Sequence, residues 1–208
     1  LDKLTPHQAE KLDEGLMLID TGRSLHIKAP AGAGKTFVAL HLILQKLILG
    51  SVLFVAVRWP ASYPCLALHP HIDTRCTSGA RQRAPALCYF LANWVAMRLE
   101  ESDASDESLA RLHVLHSPFE EGAKMVQLNK TKGAIELKPL GPSASSTFYS
   151  LAVVDEAHHV YKDPSSSAIA MNRFEVLLLL SDVSQSYGSD VKFPEDVADV
   201  ELTEVVRS

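Results

Sequence analysis

Two stretches hold most of the chain's chemical potential: Ala29-Pro30-Ala31-Gly32-Ala33-Gly34-Lys35-Thr36 and, far downstream, Asp155-Glu156-Ala157-His158-His159. In the first, small residues and glycines let backbone N–H groups turn inward around phosphate oxygens. A helix opening at Lys35 would add favourable dipole charge. Ala29 to Thr36 would line the phosphates of a nucleotide, with Lys35 reaching the β- and γ-phosphates and Thr36 ligating Mg²⁺. Ala29 departs from the common pattern, which has glycine there. The second stretch follows the apolar run Leu151 to Val154 and delivers two adjacent carboxylates. That suits hydrolysis of a magnesium nucleotide: Asp155 would hold the Mg²⁺ through water, and Glu156 would position and polarise the attacking water. His158 is placed to sense nucleotide through hydrogen bonds, and His159 reads as packing or surface. No further ligands at metal-binding spacing are evident around the two histidines.

These groups need elements to position them. Thr5 and Pro6 open a helix over 5–20, and Thr21-Gly22-Arg23 turns into a short strand over 24–28. Lys35 begins an amphipathic helix to about Leu49 that stops at Gly50. Residues 51–57 (SVLFVAV), 151–154 and 175–180 (EVLLLL) are apolar runs typical of strands buried on both faces. Weaker strands are expected at 112–115, 133–137 and 200–206, and helices from Pro85 and from Pro164 to about Asn172. Residues 100–108 and 141–146 read as loops. Buried strands alternating with helices indicate an α/β fold, a parallel sheet with helices on both faces. Ligands in such sheets sit at the carboxyl ends of the strands, where the polar clusters fall.

Composition narrows the classes. The chain has 208 residues, 47% hydrophobic and 22% charged, with a formal net charge of −5. Disordered, fibrous and simple basic nucleic-acid-binding classes are disfavoured. Cys65, Cys76 and Cys88 form no CxxC pair, so neither a disulfide framework nor a zinc ribbon follows, and an intracellular location (cytoplasm or nucleus) is expected. The apolar stretch 37–57 contains His41, Gln45, Lys46 and Gly50 and reads as helix then strand, so no membrane association is expected.

In their order, Gln8, the phosphate loop, Asp155-Glu156-Ala157-His158, Ser181-Asp182-Val183-Ser184-Gln185 and Leu202-Thr203-Glu204-Val205-Val206-Arg207-Ser208 resemble the first RecA-like domain of superfamily 1 DNA/RNA helicases and related P-loop ATPases. The resemblance covers nearly the whole chain except 58–83, and many members share alanine at the position of Ala29. It implies a single RecA-like ATP-binding domain over 1–208 that binds and hydrolyses Mg-ATP, with Gln8 contacting adenine, Gln185 sensing the γ-phosphate and Arg207 stabilising developing charge. It also implies a nucleic-acid partner, DNA or RNA, and a second RecA-like domain that these residues do not include. The chain by itself is therefore expected to hydrolyse ATP weakly and not to unwind duplexes. Ser181 stands where glycine is usual, and Asp-Glu-Ala-His is more typical of superfamily 2. Some superfamily 1-like ATPases, including Schlafen-type proteins, do carry it.

Residues 58–83 differ in composition from the rest of the chain, with three prolines, four arginines against one aspartate, and neither Lys nor Glu. They read as an insertion without helical or strand period. It is either a basic contact for nucleic-acid phosphates or a non-native segment without structural role; the lack of periodicity favours the latter. Two readings compete with the motor: an ATP-binding switch or scaffold acting on protein partners, and an inactive degenerate fragment.

Overall fold

A computed structural model describes residues 3–56, 75–101, 106–117, 122–141, 147–161, 173–182 and 191–205; within 75–85 it describes the backbone alone. Helix α1 (Pro6–Asp20) begins with a reciprocal cap. The Thr5 hydroxyl accepts from the Gln8 N–H at 3.2 Å, and the Gln8 side-chain oxygen accepts from the Thr5 N–H at 3.0 Å. Strand β1 (Ser24–Ala29) runs into the small-residue loop, and α2 (Lys35–Leu49) leaves it, ending at Gly50. There follow β2 (Val52–Val55), α3 (Arg75–Glu101), α4 (Asp106–Ala110), β3 (Leu112–Leu115), β4 (Lys124–Asn129), β5 (Ala134–Pro139), β6 (Phe148–Val154), α5 (Ala157–Val160), β7 (Arg173–Asp182) and β8 (Val197–Glu201).

The eight strands form one sheet in the order β5-β4-β3-β2-β6-β7-β1-β8. In that order, the six from β3 to β8 are mutually parallel. The fold is α/β as expected, but the sheet is mixed rather than parallel throughout, because β4 pairs antiparallel with both β3 and β5. The cause is local. Residues 129–133 make a tight turn in which the Asn129 carboxamide oxygen accepts from the N–H groups of Thr131 and Lys132, both at 3.1 Å, and Gly133 takes φ +59°. A two-strand hairpin closes there instead of a crossover.

Strand alternation divides the interior into two layers. Leu25, Ile27, Phe54, Val114, Leu151, Val153, Leu178 and Leu180 face α1, α2, α3 and α4. Leu53, Val55, Leu115, Ala152, Val154, Leu177 and Leu179 face the other way, against Ala157 and Val160 of α5. Among the described residues, four helices thus cover one face and a single turn the other. None is long and apolar enough to cross a membrane.

Several boundaries differ from the sequence reading. Helix α3 starts at Arg75, ten residues before Pro85, so residues 75–83 of the supposed insertion are helical. Its Ala80, Arg81, Gln82, Arg83 and Ala84 are good helix formers whatever the segment's other composition. Residues 57–74 lie outside the described ones, as do 142–146 of the expected loop and the helix expected over 164–172. The expected loop over 100–108 instead holds the end of α3 and the start of α4, whose Asp106 and Glu107 suit a helix N-terminus. The last strand is β8 at 197–201; the Leu202 N–H still donates to the Lys28 carbonyl of β1 at 2.9 Å, and 203–205 have left the sheet.

Candidate functional site

The six parallel strands bring their carboxyl ends to one edge. Ala29 pairs with Asp182 across β1 and β7, and Val154 of β6 pairs with Leu179 of β7. The loop strand β1 and the acidic strand β6 are separated only by β7, a span of roughly 10 Å at ordinary strand spacing. A lysine side chain bridges most of it: Lys35 Nζ lies 3.8 Å from Glu156 Oε1. Fold topology therefore brings together two motifs that are some 120 residues apart in sequence.

The loop is built to face an anion. Gly34 holds the N-cap position of α2 at φ +82°, and no side chain caps the helix. The first N–H groups of a helix have no intrahelical partner, and an uncapped glycine start leaves them to a ligand. Gly32 also has φ +82°, and the Ala33 N–H donates to the Pro30 carbonyl at 3.2 Å, which sets the loop's curl. Gln8, 4% exposed, buttresses it from α1 by donating from Nε2 to the Ala33 carbonyl at 3.0 Å. A Cβ on Gly34 would collide with that same Gln8 nitrogen. Both ends of the Gln8 carboxamide are thus engaged within the protein, one in the helix cap and one on the loop.

Asp155 and Glu156 leave β6 in different environments. Asp155 is buried, and its Oδ1 has no hydrogen-bond partner. Burial is the main reason its carboxyl is pushed up to about 6, with the Glu156 charge adding to it and Lys35 opposing. A buried carboxylate oxygen without a partner fits a cation, which would supply the missing contact. Glu156 is the only residue other than glycine with positive φ among those described, at +47°. Such backbone costs about 1–3 kcal/mol and is retained where surrounding structure demands it. Here it turns the chain from β6 into α5 and aims the carboxylate at Lys35.

Lys35, Asp155 and Glu156 are therefore brought together. Ala29, Pro30, Ala31, Gly32, Ala33 and Gly34 form the loop, and Thr36 is the second residue of α2 beside it. Gln185 and Arg207 lie outside the described residues. The structure also assembles groups that sequence reasoning passed over. Glu156, His158 and His159 present ligand atoms all within 4.8 Å of one another, although their spacing had suggested no metal site. On the same α5 side of the sheet, His26, Ser181 and Asp199 link three strands. His26 Nε2 lies 2.6 Å from Ser181 Oγ, and its Nδ1 lies 3.2 Å from Asp199 Oδ1. Burial lowers the pKa of His26 to about 4, so the ring is neutral, with Nδ1 donating to Asp199 and Nε2 accepting from the Ser181 hydroxyl. The available signal was one histidine in a strand whose opposite-face neighbours are Leu25 and Ile27. No protein-family model matches the chain, and comparison with curated proteins finds no match.

Proposed function

We propose that the chain binds Mg-ATP at the carboxyl edge of β1 and β6 and hydrolyses it as the first, RecA-like motor domain of a superfamily 1-like helicase or translocase. The observation that carries the reading is the approach of Lys35 to Glu156 beneath an uncapped, glycine-started helix. A generic glycine turn has no reason to face a carboxylate pair from a strand two places away. In this reading bound Mg-ATP supplies a divalent charge and a polarised γ-phosphoryl group. The loop N–H groups and Lys35 hold the phosphates, and Lys35 neutralises charge on their outer oxygens. Thr36 would hold the metal directly and Asp155 through water. Glu156 takes a hydrogen bond from the attacking water and orients it in line. Gln8 keeps the loop curled through Ala33, and contact with adenine would use the remaining capacity of its carboxamide.

Nucleic acid as partner rests on the resemblance of the motif series. With a net charge of −5, loose electrostatic attraction does not supply it. The test is steady-state release of phosphate from Mg-ATP, with and without single-stranded DNA or RNA, for the chain and for Glu156→Gln. Turnover that Glu156→Gln lowers by about a hundredfold or more supports the assigned roles. Stimulation by a strand supports the motor. Turnover unaffected by either strand turns the reading toward a switch acting on protein partners, and equal turnover in Glu156→Gln removes Glu156 from the chemistry.

A further inference from the structure

We propose that Glu156, His158 and His159 form a binding site for a transition-metal ion of the zinc class, distinct in ligand chemistry from the magnesium position at Asp155 and Thr36. The three residues sit where β6 turns into α5. His158 is fully buried, its Nδ1 lies 3.6 Å from Glu156 Oε2, and the two imidazole rings are 4.0 Å apart between centroids. A carboxylate oxygen and two ring nitrogens within 4.8 Å of one another form a His₂Glu donor set. That set holds zinc with one position left open, and magnesium, which prefers oxygen, does not favour it. Bonds of about 2.0–2.1 Å to a tetrahedral ion put ligand atoms roughly 3.3 Å apart. Closing the cluster to that size takes rotations of the Glu156 and His159 side chains, both of which retain solvent contact. The left-handed backbone at Glu156 is what places its carboxylate over the histidines, since extended backbone would carry the chain past α5.

The consequence concerns control. Glu156 serves both sites: bound to zinc, its carboxylate is drawn off Lys35 and can no longer accept from water. Zinc therefore opposes hydrolysis. This consequence rests on the Mg-ATP reading, whereas the binding itself does not.

The nucleotide-free chain is titrated with Co²⁺, followed by its visible absorption, and then with Zn²⁺ in competition, all in excess Mg²⁺. The same is done for His159→Ala, Glu156→Gln and Cys88→Ser, with folding of each checked by circular dichroism. The expected result is a single ion per chain that excess Mg²⁺ does not displace. Affinity falls about tenfold or more in His159→Ala and Glu156→Gln and is unchanged in Cys88→Ser. Equal affinity in the wild type, His159→Ala and Glu156→Gln overturns the site, as does loss confined to Cys88→Ser. In the same preparations Zn²⁺ suppresses phosphate release from Mg-ATP in the wild type but not in His159→Ala. Zinc binding that depends on His159 in a chain that never binds Mg-ATP keeps the metal site and removes the nucleotide reading. Nucleotide binding without zinc binding does the reverse.

Discussion

Replacing Asp155 with Asn should make the unliganded protein more stable. In the folded chain burial raises the Asp155 carboxyl from its ordinary 3.8 to about 6. The folded state thus holds this proton more tightly than the unfolded chain does. The stability that goes with it is present below pH 3.8 and is lost as pH rises through 6. Above pH 7 the ionised, 8%-exposed carboxylate lowers stability by about 3 kcal/mol, at 1.36 kcal/mol per pKa unit. Asparagine keeps the shape and never ionises, so Asp155→Asn should gain about 2–3 kcal/mol at pH 7.5. Near pH 4.5 the gain should shrink to about 1 kcal/mol. The assay is urea unfolding without Mg²⁺ at a series of pH values, comparing midpoints at constant slope. A variant no more stable than the wild type at pH 7.5, or a gain that does not shrink on acidification, refutes the reasoning.

The remaining predictions concern neighbouring features. His26 acts in the opposite sense: with its pKa lowered to about 4, it contributes stability that is present above pH 6.5 and lost as pH falls toward 4, about 3 kcal/mol in all. The two effects nearly cancel in the wild type, so His26 should be read in the Asp155→Asn background, where unfolding free energy rises from pH 4 to 6.5 and His26→Gln flattens the rise. Gly34→Ala should weaken ATP binding and lower stability more than Gly32→Ala. Both positions have φ +82°, but a Cβ at 34 strikes the Gln8 nitrogen, whereas at 32 it meets only Val205 Cγ1 at an ordinary 3.5 Å. Matched losses in calorimetric melts and nucleotide titrations would remove Gln8 from the loop's support.

Much of this architecture was legible in the residues. Strands β2, β6 and β7 carry apolar residues on both faces because both faces of the central sheet are covered, and unbroken runs such as Val176 to Leu180 declare that directly. Helix α2 showed both ends through Gly34 and Gly50. Strand β4 did not show, because at the sheet's margin only Val126 of Lys124–Asn129 is buried and the apolar signal is thin. The hairpin turn 129–133 was the clue available, and it fixed the antiparallel pair that the parallel reading lacked. The site divided along similar lines. Local groups such as the loop and the acidic pair are contiguous and could be read. The engagement of Gln8 with Ala33, the convergence of Glu156 with His158 and His159, and the His26 network depend on backbone direction or on strand order, and neither has a local sequence signature. The positive φ at Glu156 in particular is imposed by the β6–α5 junction and not by a glycine.

The central claim is that Lys35 and the loop before it hold a nucleotide. Its most direct test is equilibrium binding of ATP to the chain in the presence of Mg²⁺, beside Lys35→Ala. Saturable binding that Lys35→Ala weakens by about a hundredfold or more is the predicted result, as expected for loss of a charged contact to phosphate worth about 3 kcal/mol. Binding of equal strength in the two proteins, or none in a folded wild-type chain, would contradict the account.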